Sequence, residues 1–250
     1  MDSLTSTPEQ DYPVWGFAGT LLWGVAIALA FVITQTIAMT VYVGRYYGDV
    51  SAGELANLMT VLQFNGTVLS ICNVATLIVC SSAVLGIVRL KKHSSIRYYL
   101  GLHSVSFSAI GFWFLVIVAL IIASDLLTFL LGKPIVPEFM SAVYRSADSL
   151  WMLWLALIVA APVFEELFFR GFLMAGLRSS FVGPIGAILI SSLLWAATHL
   201  QYDLYGMVTV FVIGLVLGTA RIRTGSVLLT MGMHSFMNLV ATIQAAIYVS

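Results

Sequence analysis

Long uninterrupted apolar runs dominate this chain, and the polar positions gather at their ends. About 20 consecutive apolar residues cross a bilayer as helix. Seven runs can be marked off on that rule: 15–43, 59–88, 106–131, 150–177, 184–200, 204–220 and 227–248. The fifth and sixth are the shortest. The pattern predicts an all-α, polytopic transmembrane helix bundle of about seven spans. It divides into a polar N-terminal tail (1–14), three N-terminal spans within 15–149, and a segment 150–250 in which polar residues recur inside the spans. The tail carries Asp2, Glu9 and Asp11 and no Lys or Arg. A secretory signal needs a basic start and a short apolar core, so no cleavable signal is expected.

Composition strengthens this reading. Of 250 residues, 60% are hydrophobic and 9% charged, with a mean hydropathy of +1.02. A soluble domain carries about 25% charged residues, so little room is left for one. Formal net charge is zero, which removes any argument for a nucleic-acid partner. Lys and Arg accumulate in cytoplasmic loops. Arg89, Lys91, Lys92 and Arg97 follow the second span, Arg170 and Arg178 close the fourth, and Arg221 and Arg223 follow the sixth. The opposite loops hold Arg45, Lys133 and Arg145. The N-terminus is expected in the cytoplasm and the C-terminus outside.

Small residues mark close helix approach. Gly214 and Gly218 in the sixth span, and Gly183, Ala187 and Ser191 in the fifth, follow small-xxx-small spacing. Cys72 and Cys80 lie on one apolar run, about 12 Å apart if helical, too far for a disulfide. They read as small core residues. Asn65-Gly66-Thr67 matches a glycosylation acceptor, but at a span edge so short a pattern reads as chance.

The chemistry sits in the last third. Glu165, Glu166, Arg170, His199, His234 and Asn238 fall inside runs that otherwise read as membrane helix. Even the gentlest scale sets an ionisable side chain there at about 2.5–3.5 kcal/mol, so five in one bundle need a use. Adjacent helical residues point about 100° apart, which separates the jobs of the two glutamates. Glu166 and Arg170 are i,i+4 in the favourable order and read as a structural clamp, leaving Glu165 as the working carboxylate. Pro162 removes the helix bond to Ile158 and predicts a kink. Counted from the turn at 179–184, Glu165 and His199 both lie about 21–23 Å away, hence level on antiparallel helices. Trp195, one turn before His199, could wall its pocket. His234 and Asn238, again i,i+4, put an imidazole and an amide donor on one face. A base, a level imidazole and a donor pair are what water-mediated amide hydrolysis requires. Asp125 reads as an interfacial or helix-pairing residue.

The three motifs, Glu165-Glu166-x-x-x-Arg170, Trp195-x-x-x-His199 and His234-x-x-x-Asn238, together resemble the CPBP family. Its intramembrane proteases include type II CAAX prenyl endopeptidases and bacteriocin-processing or immunity (Abi) proteins. The resemblance covers about 150–241. It implies an endopeptidase working near the cytoplasmic leaflet of a bacterial inner (plasma) membrane on a peptide or membrane-protein substrate. It further implies that Glu165 and His199 activate water while His234 and Asn238 hold the oxyanion. The family's second motif usually begins with Phe; Trp195 stands there as a conservative change in a wall residue. A zinc ion, if used, would sit on Glu165, His199 and His234, a known catalytic ligand set; the metal-free Glu–His scheme is the preferred one. A proton-coupled transporter, or a catalytically silent immunity or scaffold protein of the same fold, are the competing readings.

Overall fold

The computed structural model describes residues 13–250; the predicted tail, but for Pro13 and Val14, lies outside the described residues. In chain order the helices are α1 (Phe17–Tyr46), α2 (Ala52–Leu62), α3 (Gly66–Leu90), α4 (Ile96–Leu100), α5 (Phe107–Leu130), α6 (Glu138–Arg145), α7 (Leu150–Arg178), α8 (Gly183–Ala197), α9 (Leu204–Thr224) and α10 (Val227–Val249). Six of these, α1, α3, α5, α7, α9 and α10, are long and apolar enough to cross a membrane. The chain is an integral membrane helix bundle. Its core is built from the facing sides of α1, α3, α7, α8, α9 and α10, with α5 packed on α9 and α10.

The fifth span differs from its prediction. It was expected to run to residue 200, yet α8 stops at Ala197. Its 15 residues make about 22 Å of helix, short of the roughly 30 Å hydrocarbon core. The cause is local. Thr198 Oγ and His199 Nδ1 both turn back onto the Trp195 carbonyl, at 2.7 and 2.9 Å, and side-chain bonds of this kind compete with the helix ladder. His199 therefore lies just beyond a helix end, not on the helix.

The α8–α9 pair shows what its small residues do. A Cβ at Gly214 would lie 2.8 Å from the Cβ of Ser192, and one at Gly218 would lie 3.2 Å from the Ile188 side chain. The two helices touch at backbone distance. α3 begins at Gly66 rather than at residue 59, because Asn65 caps it: its side chain accepts from the Val68 N–H at 3.0 Å. Asn65 is a helix cap, which accounts for its place in the sequence. Cys72 and Cys80 are free and buried.

The bundle has two unlike ends. At one, the connection between α3 and α5 is stitched to the start of α10. The Val227 N–H donates to the Gly101 carbonyl at 2.9 Å, and Ser226 Oγ donates to the His103 carbonyl at 2.5 Å. Gly101 is required there: its φ is 70°, and a Cβ would strike the Gly225 carbonyl and the Arg221 guanidinium. At the other end, the start of α3 is tied to the 146–148 turn by Gly66 N–H to Ser146 Oγ (2.9 Å) and Thr67 Oγ to Asp148 (3.0 Å). Lys133 meets Asp203 there at 2.7 Å.

Candidate active site

Helix α7 is not a regular α-helix. Two stretches, Ala156–Ala160 and Glu166–Leu173, widen to π register, and they bracket Glu165. In π register each carbonyl looks five residues ahead. The donor that Leu157 would meet is residue 162, a proline with no N–H, so the Leu157 carbonyl is left over. Asn238 of α10 fills the gap, its Nδ2–H donating to that carbonyl at 2.8 Å. The sequence reading assigned the orphan to Ile158, as an α register would; the widened register moves it one residue back. In the second stretch the Arg170 carbonyl accepts from Arg221 Nε at 3.0 Å. Arg221 is 4% exposed and braces α7 from α9. Nothing in the sequence separated it from a surface basic residue.

The two glutamates face different neighbours. Glu166 is fully buried; its Oε1 lies 3.0 Å from Arg170 Nη1 and 3.1 Å from His234 Nδ1. Arg170, also fully buried, reaches the Gly214 carbonyl at 3.5 Å and lies 4.4 Å over the Trp195 ring. Glu165 is half-buried and opens into the large internal cavity. One of its carboxylate oxygens accepts a hydrogen bond from Trp195 Nε1–H. That bond changes the meaning of Trp195. A phenylalanine would supply the same wall and no donor, so this chain holds its glutamate in a way that the usual second motif does not.

His199, His234 and Asn238 line the same cavity as Glu165. A carbonyl only accepts, so His199 Nδ1, at 2.9 Å from the Trp195 carbonyl, carries the proton and leaves Nε2 as a basic lone pair. An ionised carboxylate also only accepts, so His234 donates through Nδ1 to Glu166. Trp195 contacts both imidazoles edge-on, each at 5.1 Å between ring centroids and 77° between planes. Tyr202, which the sequence reading passed over, stacks on His199 at 6.1 Å and 9°. Burial first and the Glu165 charge second push its hydroxyl up to about 12, so it stays a neutral donor at ordinary pH. Asp125 accepts from Gln244 Nε2 of α10 at 2.7 Å, a link between α5 and α10.

The proposed zinc ligands do not fit one ion. Among the described residues, no three His, Cys, Asp or Glu side chains lie close enough to share a metal. Singly, Glu165 and His234 each keep a free ligand atom, because Trp195 holds one Glu165 oxygen and Glu166 takes only the His234 Nδ1; it is their separation from His199 that leaves no shared position.

Replacing Trp195 with Phe keeps the ring and deletes the donor. A hydrogen bond to a charged group contributes about 1.5–3 kcal/mol. Turnover is expected to fall about tenfold to a hundredfold and the melting temperature to drop by a few degrees with the lost bond, so kcat is measured per folded molecule of purified protein. Unchanged kcat would show that Glu165 needs no such restraint.

A family model for the type II CAAX prenyl endopeptidase, Rce1-like, matches residues 146–240. An uncharacterised 24.3 kDa protein of Escherichia coli is 36% identical over 114 residues, 42% of this chain and 52% of the relative. The chain thus spans about half the length of that curated relative. No solved structure matches the chain. The matched segment contains all three polar motifs, and residues 146–240 are similar to the type II CAAX prenyl endopeptidase, Rce1-like family.

Proposed function

We propose that this protein is an intramembrane endopeptidase in which Glu165 activates water to attack a peptide carbonyl. The observation that carries the reading is the split fate of the adjacent glutamates. Glu166 is neutralised by Arg170 and His234, whereas Glu165 keeps an oxygen toward a cavity shared with two imidazoles and an amide. An uncompensated carboxylate in a membrane span is costly unless it works.

The chemistry follows from the donors present. A water in the cavity gives its proton to Glu165 as its oxygen bonds the peptide carbonyl carbon, with His199 Nε2 accepting the water's other hydrogen and fixing its orientation. The carbonyl becomes an oxyanion. His234 keeps its Nε2 for the oxyanion, since its Nδ1–H is committed to Glu166; it donates there once a second proton sits on the ring. Asn238 has a second amide hydrogen beyond the one given to Leu157. When the tetrahedral intermediate collapses, the C–N bond breaks and the proton on Glu165 passes to the leaving amine.

Purified protein incubated with a peptide library, alongside Glu165→Gln, tests this; no cleavage by the wild type would overturn it. Cleavage in detergent, with no proton or solute flux in vesicles, would decide against a carrier.

Asn238 makes a separable prediction. Asn238→Ala leaves the Leu157 carbonyl unpaired, an expected loss of about 1–3 kcal/mol of stability. If the other amide hydrogen serves the oxyanion, kcat per folded molecule also falls about 10²–10³. Adding Pro162→Ala restores an N–H at residue 162, and should recover stability without recovering turnover. Near-normal kcat in Asn238→Ala would remove Asn238 from the reaction.

A further inference from the structure

The cavity reaches one end of the bundle and is closed at the other. Its volume is about 1260 Å³, beyond the roughly 300–1,000 Å³ of sites for drug-sized ligands. From Glu165 and His199 it runs past the outer part of α5 to Phe64, Lys133, Glu138 and Gln201. These all belong to the end where α3 is tied to the 146–148 turn. No residue of the 89–106 connection, of the 178–183 turn, or of 221–226 lines it. That opposite end is shut by the Gly101–Gly225 contact and by Thr20 packed against Gly176.

Charge tells the two ends apart. The closed end holds Arg89, Lys91, Lys92, Arg97, Arg178, Arg221 and Arg223, with no acidic residue among the described ones. The open end holds Asp49, Glu54, Glu138, Asp148 and Asp203 against Arg45, Lys133 and Arg145. Short loops rich in Lys and Arg stay in the cytoplasm, so the closed end is cytoplasmic. Depth agrees with this. Glu165 precedes Arg178 by 13 residues, about 20 Å of helix from the basic end. In a hydrocarbon core about 30 Å thick, that is the third nearer the open face.

We infer that the cleft takes its substrate from the non-cytoplasmic side, as the apolar segment of an exported or membrane-anchored peptide whose cleaved bond lies in the outer part of the bilayer. This rests on the hydrolytic reading above and adds the direction of access and the substrate class. The wall chemistry suits such a segment. Phe31, Phe164 and Phe168 stack in a row along the cavity, 5.9 and 6.0 Å between successive centroids. At the mouth, Phe139 of α6 makes edge contacts with Phe64 and Tyr202. A prenylated C-terminus in the cytoplasm would meet the closed end. The direction is thus opposite to the cytoplasmic-leaflet site that the family resemblance implied.

The test uses the full chain with Cys72 and Cys80 changed to Ala and one new cysteine, Glu138→Cys or Lys92→Cys, both exposed positions. A membrane-impermeant maleimide should label Glu138→Cys in right-side-out vesicles and Lys92→Cys in inverted ones. Reversed labelling overturns the inference whatever the activity. In parallel, the wild type in each kind of vesicle receives apolar peptides carrying an impermeant charged tag, with Glu165→Gln as blank. Cleavage confined to right-side-out vesicles supports the inference, and cleavage confined to inverted vesicles overturns it. Labelling in the expected sense, with no cleavage in either vesicle or in detergent, overturns the hydrolytic reading and the substrate class while upholding the direction of the opening.

Discussion

Replacing Glu165 with Gln is expected to leave the bundle folded and to remove the proposed cleavage. Glutamine has nearly the same shape, and its amide oxygen can still accept from Trp195 Nε1–H, so the contact that holds the side chain persists. What is lost is the ability to take a proton from water. General-base catalysis contributes about 10²–10⁴ in rate, and kcat should fall by at least that range while yield and melting stay near wild type. The same change at Glu166 should behave differently, because its carboxylate is paired with Arg170 and His234 in full burial. Purified Glu165→Gln that cleaves as fast as wild type would remove Glu165 from the chemistry. If flux across vesicles changed instead, the carrier reading would replace the enzyme.

The spans were legible because twenty apolar residues in a row have few alternatives in a long chain. The short helices were not. α2 and α6 are too short to register as spans, and only the capping box at Ser51 and Glu54, with bonds of 2.9 and 3.4 Å, marks α2 in the sequence. The end of α8 was hidden because apolar residues continue past it, while the event that stops it is a pair of side-chain bonds at Thr198 and His199. The motif spacing did put its residues around one cavity. It could not show the π stretches, which arise where the helix gives up its own bonds for ones with α9 and α10. Pro162 signalled the first; the second depends on Arg221, fifty-one residues away. Trp195 was read as wall because spacing reports the face of a helix and not which atom a ring presents.

Arg170→Ala is expected to cost stability and turnover together. The guanidinium is fully buried, lies 3.0 Å from Glu166 and sits 4.4 Å over the Trp195 ring. Removing one partner of a buried pair strands the other charge, typically at about 3–5 kcal/mol. Here the stranded group would be Glu166, left with His234 alone. The indole would also lose its support, and that indole holds Glu165. Thermal unfolding should therefore shift down strongly, and kcat per folded molecule should drop as well. A double replacement, Glu166→Gln with Arg170→Met, separates the effects. With both charges gone it should recover much of the stability, since apolar substitutes for a whole buried pair are often close to neutral. Turnover should stay low, because a glutamine oxygen accepts from His234 Nδ1–H more weakly than the carboxylate does. Wild-type melting in Arg170→Ala would show that the pair does not hold the bundle. Wild-type turnover in the double variant would show that Glu166 does not position His234.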